Sequence, residues 1–214
     1  MIVSDVMSKN PICVEPDTSV TDARALMTRE KINKLPVLDR DNRLVGILTK
    51  NDLAQAAPSA ATTLDMYEMG YLLSKLKVEK VMTKSPITVQ DDEVIEEAAR
   101  IMADKDIGCL PVMKDGILVG IVTESDLFRK FIEMFGARHH GVRAMIEVDE
   151  KPGELAKVTN GITTIGGNIV STVTSEGSSV ATRCVTCKVV GTTLSALKAE
   201  FEKEGIKLLD IREI

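Results

Sequence analysis

Two short segments place a hydroxyl and a carboxylate at a strand-to-helix switch: Thr49-Lys50-Asn51-Asp52 and Thr123-Glu124-Ser125-Asp126. Each follows a continuous apolar run, Val45-Gly46-Ile47-Leu48 and Val119-Gly120-Ile121-Val122, as expected of strands covered on both faces. Two chemistries fit this pattern. In the first, the Thr side chain caps the helix and the Asp three positions on reaches back to the cap amide. In the second, the free amides and positive end of the helix attract a phosphate, the Thr hydroxyl donates to it, and the carboxylate accepts both hydroxyls of a ribose. The two uses are not exclusive.

The remaining reactive side chains carry less. Cys184-Val185-Thr186-Cys187 has the spacing of a metal or redox motif, but it falls in a predicted strand, where residues three apart face opposite sides. Neither a second cysteine pair nor a nearby His completes a ligand set, so no metal site is expected. His139 and His140 are adjacent in a linker-like stretch and read as surface residues. The sequence contains no nucleophile elbow, Walker loop, zinc-protease motif or kinase motif, and no carboxylate stands out as an acid or base. No catalytic residue and no catalytic cofactor are assigned. The reading is not that of an enzyme.

The elements that position the two corners occur twice. Val3-Ser4-Asp5-Val6-Met7 and Pro11 recur 75 positions later as Val78-Glu79-Lys80-Val81-Met82 and Pro86, and Leu35-Pro36-Val37 recurs as Leu110-Pro111-Val112. By Gly46 and Gly120 the offset is 74, because Asp39-Arg40-Asp41-Asn42 is replaced by the shorter Lys114-Asp115-Gly116. Both read as hairpin turns, where a deletion is tolerated. Val20, Ala23 and Met27 line one helical face, and Ile95, Ala98 and Met102 repeat it. Between the copies, residues 54–63 read as a loop and 64–76 as a connecting helix.

From Gly141 the period changes. Val142, Ala144, Ile146 and Val148 alternate with polar or larger residues, as in a half-buried strand. A helix over Leu155, Val158, Ile162 and Ile165 ends at Gly166-Gly167, and two strands, 168–174 and 180–190, are joined by residues 175–178. A helix over Leu194, Leu197 and Phe201 and a strand over 206–211 complete a β-α-β-β-α-β order, a ferredoxin-like sandwich. The fold class is therefore α+β, divided as repeat 1 (1–60), connecting helix (61–77), repeat 2 (78–135) and a C-terminal domain (141–214). One face of that last sheet lacks helices and needs cover, which points to a homodimer.

Composition narrows the partners. Aromatics are 3% of the 214 residues, Trp is absent and the formal net charge is −5, which argues against direct nucleic-acid binding. No apolar stretch is long enough to span a membrane, and no signal peptide is apparent at the N-terminus. Four unevenly spaced cysteines do not form a disulfide framework and suit a reducing cytoplasm.

The paired Val-x-x-Val-Met starts, the Leu-Pro-Val segments and the Gly-apolar-apolar-Thr-x-x-Asp ends resemble two CBS domains in tandem (a Bateman module), over residues 1 to about 132. The resemblance implies an adenine nucleotide or related adenosyl compound as regulatory ligand. Thr49 and Thr123 would contact phosphate, and Asp52 and Asp126 would hold ribose. The adenine would lie in an apolar slot beside Ile12, Cys13, Ile87 and Thr88 and the loops before Pro36 and Pro111. Lys34 is a candidate cation for phosphate; its counterpart is Cys109, so the two sites should differ. Residues 141–214 resemble the ACT domain, a regulatory unit that often binds an amino acid, with Asp149, Pro152, Gly153, Asn168 and Ile169 matching its ligand region. Helix initiation and turn chemistry explain those residues equally well. The domain order resembles acetoin-utilisation CBS–ACT proteins. A ligand sensor acting on an enzyme or transporter is expected; the alternative is a dimeric scaffold that docks a partner without ligand.

Overall fold

A computed structural model describes residues 1–56 and 66–214 and divides the chain into two compact units, Met1–Leu127 and Phe128–Ile214. The loop expected over 54–63 lies largely outside the described residues, as does the beginning of the connecting helix.

In the first unit, a 3-10 turn (Val3–Asp5) leads to β1 (Ser8–Lys9), α1 (Val20–Glu30), β2 (Lys34–Leu38), β3 (Leu44–Thr49) and α2 (Lys50–Gln55). After α3 (Met66–Lys75) the pattern returns. A second 3-10 turn (Val78–Lys80) precedes β4 (Thr83–Lys84), β5 (Val89–Gln90), α4 (Ile95–Lys105), β6 (Cys109–Lys114), β7 (Ile117–Thr123) and α5 (Glu124–Met134). Local chemistry sets these boundaries. The Ser19 hydroxyl accepts from the Asp22 amide at 3.0 Å to start α1, and Lys31 closes it in the left-handed region, as Asp106 closes α4. Asp115 and Gly116 both take positive φ, 50° and 79°, which suits the tight turn between β6 and β7.

The strands form two sheets, β2-β3-β4 and β1-β7-β6-β5, so the short strand opening each repeat pairs with the last strand of the other. Ser8 and Lys9 lie opposite Ile121 and Gly120, while Thr83 and Lys84 lie opposite Ile47 and Gly46. The cores are exchanged in the same way. Val78 is fully buried with Val20, Ala23, Met27, Leu35 and Leu48 of repeat 1, and Val3 with Ala98, Met102, Leu110 and Val122 of repeat 2. Burying a Val or Leu side chain stabilises by about 1.5–3 kcal/mol, so each opening segment secures the opposite repeat. The strand glycines serve this exchange. A Cβ on Gly46 would strike the Met82 sulfur, and one on Gly120 the Met7 sulfur. On the other sheet faces Ile47, Cys109 and Ile121 form a small cluster where the repeats meet.

The second unit contains β8 (Val142–Asp149), α6 (Glu154–Thr164), β9 (Asn168–Glu176), β10 (Thr182–Val190), α7 (Leu194–Lys203) and β11 (Lys207–Glu213), in one antiparallel sheet of order β11-β8-β10-β9. Val142, Ala144, Ile146, Val185 and Val189 pack against Val158, Ile162, Leu197 and Phe201. The hairpin differs from expectation in one respect. β9 runs on to Glu176 and β10 starts only at Thr182, leaving Val180 in an exposed loop, because the Ser179 amide donates to the Thr182 hydroxyl across it, the Ala181 amide donates to the Ser179 hydroxyl, and the Ser178 amide donates to Glu147.

Candidate functional site

At the first corner β3 ends in Thr49, whose extended backbone (φ −112°, ψ 162°) turns the chain into α2. The Thr49 hydroxyl donates to Asp52 Oδ2 at 2.7 Å, the Thr49 amide donates to the same oxygen at 2.7 Å, and the hydroxyl accepts from the Asp52 amide at 3.2 Å. The second corner repeats this. Thr123 donates to Asp126 Oδ2 through its amide at 2.8 Å and its hydroxyl at 2.7 Å, and accepts from the Asp126 amide at 3.4 Å. The capping box is thus formed at both corners. A hydroxyl has one proton, and each Thr spends it on its Asp. At the first corner Asp52 Oδ1 has no hydrogen-bond partner among the described residues, so it can accept from an incoming hydroxyl without disturbing the cap.

The surroundings of the corners differ. Asp52 is half-buried and opens on a cleft of about 500 Å³ that also gathers Lys34, Ile87 and Cys109. Thr49 and Asp52 come from repeat 1, whereas Ile87 and Cys109 come from repeat 2, so the cleft spans the copies. Five of the residues expected at the nucleotide site, Lys34, Thr49, Asp52, Ile87 and Cys109, therefore meet here. Thr88, Ile12, Cys13, Pro36, Pro111, Thr123 and Asp126 are not among the residues lining it. Pro36 and Pro111 are buried inside β2 and β6, opposite Ile47 and Ile121. Ile12 is exposed, and the half-buried Cys13 donates its thiol to the Pro11 carbonyl at 3.2 Å. Asp126 is only 5% exposed.

Lys34 is engaged: its ammonium donates to the Gly108 carbonyl of the other repeat. The Cys109 thiol is pushed up to about 11 by burial, against the pull of Lys34 and with Glu124 and Asp52 adding to the rise, so it stays protonated and apolar. Asp106 and Gly108, which also line the cleft, belong to the loop expected before Pro111, whereas sequence reasoning missed Pro86 and Lys50. The signal was present in the repeat itself: residues 83–87 match 8–12, and each opening segment pairs with the other copy.

In the second unit, Asp149, Pro152 and Gly153 lie at one end of the sheet, Asp149 opposite Thr182, while Asn168 lies opposite Val190 and Ile169 opposite Val189 at the other end. Eight residues of β10 separate those ends, roughly 27 Å at strand rise, so a single copy does not bring the five together. Gly153 caps α6 at φ +97°, Asp149 pairs with Lys151 at 2.6 Å, and Ile169 packs against the core. Cys187 is in the core and Cys184 lies on the opposite sheet face, beside Glu147. His139 and His140 are exposed. No three described His, Cys, Asp or Glu residues group to hold a metal, and no described helix is long and apolar enough to cross a membrane.

The repeats, the cleft between them and the appended sandwich define a tandem ligand-binding module joined to a small α+β domain. The chain belongs to the CBS-domain family, which it matches over residues 3–59 and 78–133, and residues 140–212 match the TTHA0829-like ACT domain. It is 34% identical over 135 residues to a CBS domain-containing protein of Dictyostelium discoideum, covering 63% of this chain and 93% of that one. It is 33% identical to the L-aspartate semialdehyde sulfurtransferase of Methanocaldococcus jannaschii over 61% of this chain but only 23% of the enzyme. Among solved structures, the CBS domain pair of protein MJ0100 in complex with 5'-methylthioadenosine and S-adenosyl-L-methionine is similar (31% identity, TM-score 0.52, 65% of this chain and 98% of that one). So is CBSX2 in complex with AMP (36% identity, TM-score 0.50, 61% and 96%). An acetoin utilization protein, AcuB from Vibrio cholerae, matches at 28% identity and a TM-score of 0.53 over 64% of this chain and 95% of that one. Related CBS pairs thus bind adenosyl compounds, and the chain has a regulatory, ligand-binding architecture.

Proposed function

We propose that the chain is a regulatory sensor whose CBS pair binds an adenine nucleotide or related adenosyl compound. The observation that carries this reading is the inter-repeat cleft, lined by Asp52, whose Oδ1 has no hydrogen-bond partner among the described residues, together with Ile87, Pro86 and Cys109. The carboxylate accepts ribose hydroxyls while Ile47, Ile87 and Pro86 offer an apolar seat for the base. A phosphate contact by Thr49 requires its proton to leave Asp52, so ribose recognition is the stronger of the two roles. By the repeat, Thr123 and Asp126 mark a second site, which the burial of Asp126 keeps less open than the first. The signal passes to the ACT domain, which takes an amino acid across two copies of a homodimer, or to a partner enzyme or transporter.

Titration calorimetry with AMP, ADP, ATP and S-adenosylmethionine tests this. Asp52→Asn should lower affinity for the bound compound by about tenfold, the equivalent of one charge-assisted hydrogen bond, with the fold retained by circular dichroism. No heat with any of the four compounds would leave the scaffold reading, which the exposed Phe128, Phe131 and Met134 of α5 support.

A further inference from the structure

The sheet of the second unit turns Val185, Cys187 and Val189 of β10 towards α6 and α7, so Lys188 points to the opposite face. There a row runs in register across all four strands. Ser171 on β9 faces Lys188, Lys188 faces Arg143 on β8, and Arg143 faces Arg212 on β11. One acid, Asp210, serves two of these three cations. Asp210 bonds Arg143 Nη1 at 3.2 Å and Arg212 Nη2 at 2.6 Å. Lys188 is 3% exposed, yet among the described residues it has no hydrogen bond and no ion pair.

The chain itself closes over this lysine. The Ser171 hydroxyl donates to the Phe135 carbonyl at 3.1 Å. A Cβ on Gly136 (φ +58°) would lie 3.6 Å from the Lys188 stem and 2.7 Å from Val170, so only glycine lets the backbone approach this closely. The stem of Lys188 is buried, but among the described residues no side-chain nitrogen is both sealed from solvent and unpaired, so the ammonium reaches the surface of this face without a counter-charge, and cations directly opposite one another on neighbouring strands add repulsion. The chain as a whole is acidic, at −5, so this local excess of positive charge stands apart from its general character.

We propose that the Lys188–Arg143–Arg212 row is a binding site for a small oxyanion, a phosphate monoester or a carboxylate, seated between the Lys188 ammonium and the Arg143 guanidinium. The ammonium supplies a point charge and the guanidinium a planar fork, a pairing suited to either anion. The site is independent of the inter-repeat cleft.

The test is thermal unfolding of the full chain in sodium phosphate, sodium succinate and sodium chloride at matched ionic strength. A ligand that binds only the folded state raises the melting temperature with concentration. Phosphate or succinate should raise it above chloride, and whichever acts identifies the anion class. Lys188→Met keeps the apolar stem and should remove the increment; Arg212→Gln, on a mostly exposed side chain, should weaken the apparent affinity by about tenfold. If Lys188→Met does not fold, Arg212→Gln decides. Equal melting in the three salts overturns the proposal, as does an increment preserved in both variants. An absent increment with self-association lost in Lys188→Met would instead assign the row to an acidic group of a second copy and overturn the small-anion site.

Discussion

Glu147 shows how one side chain can tie a loop to a sheet. It projects from β8 on the face opposite the core, accepts from the Ser178 amide at 2.9 Å and pairs with the Lys207 ammonium, its cross-strand neighbour on β11. The hydrogen bond from Lys207, then those from Ser178, hold its carboxyl at about 2, below the ordinary 4.5. Because the folded state depresses this pKa, the ionised carboxylate contributes its full stability above 4.5, and that contribution is lost as pH falls towards 2. Glu147→Gln should therefore lower the urea midpoint at pH 6, and the gap between the variant and the parent should narrow steadily as pH falls from 4.5 towards 2. A gap unchanged over that range would mean that shape, not charge, holds the loop. The two Thr–Asp corners make a related point. Their capping role was legible in the sequence because a capping box is local, spanning four residues. Which of the expected residues share a cleft with Asp52 was not, because Ile87 and Cys109 come from the other repeat.

Between elements, the controlling feature is the exchange of opening strands. Met82 lies on Gly46, and Met7 on Gly120, so the Val-Met and Gly-Ile motifs recur together because each copy's methionine fits the other copy's glycine. Gly46→Ala should destabilise by about 1–3 kcal/mol, the usual range for an overpacked site. Adding Met82→Ala should recover part of that loss, giving a coupling energy of about 0.5–3 kcal/mol in a double-mutant cycle from urea unfolding. Strict additivity would show that the contact is relaxed elsewhere. Periodicity disclosed both helical faces, Val20-Ala23-Met27 and Ile95-Ala98-Met102, and the deletion at Asp115-Gly116 located the turn. It could not disclose that Val3 belongs to the second core and Val78 to the first, since repetition in sequence does not say which copy a strand joins. The exposed loop at Val180 was missed for a similar reason: its hydroxyl bonds outweigh the β propensity of a single valine.

For the whole molecule, the question is where a second copy would bind. The sequence pointed to the helix-free face of the ACT sheet, but the chain partly roofs that face itself, through Phe135 and Gly136 at one end and the Ser178 loop at the other. An unpaired apolar face lies on α5, where Phe128, Phe131 and Met134 are 68%, 55% and 53% exposed at helical spacing. Patches of this kind mark protein contacts. The proposed homodimer should therefore depend on α5: Phe128→Glu should raise its dissociation constant by about 30-fold or more, the effect of losing an aromatic anchor. Thr186→Glu, in the middle of the helix-free face beside Met145, should leave it unchanged. Sedimentation equilibrium of the two variants separates the surfaces, and the reverse pattern would return the dimer contact to the sheet. An α5 contact would also place the regulatory step, because the helix begins at the Thr123–Asp126 corner. A ligand that loosens that cap would act on the first turn of the dimerising helix, so nucleotide and self-association should be linked reciprocally, each shifting the other's affinity by the same factor.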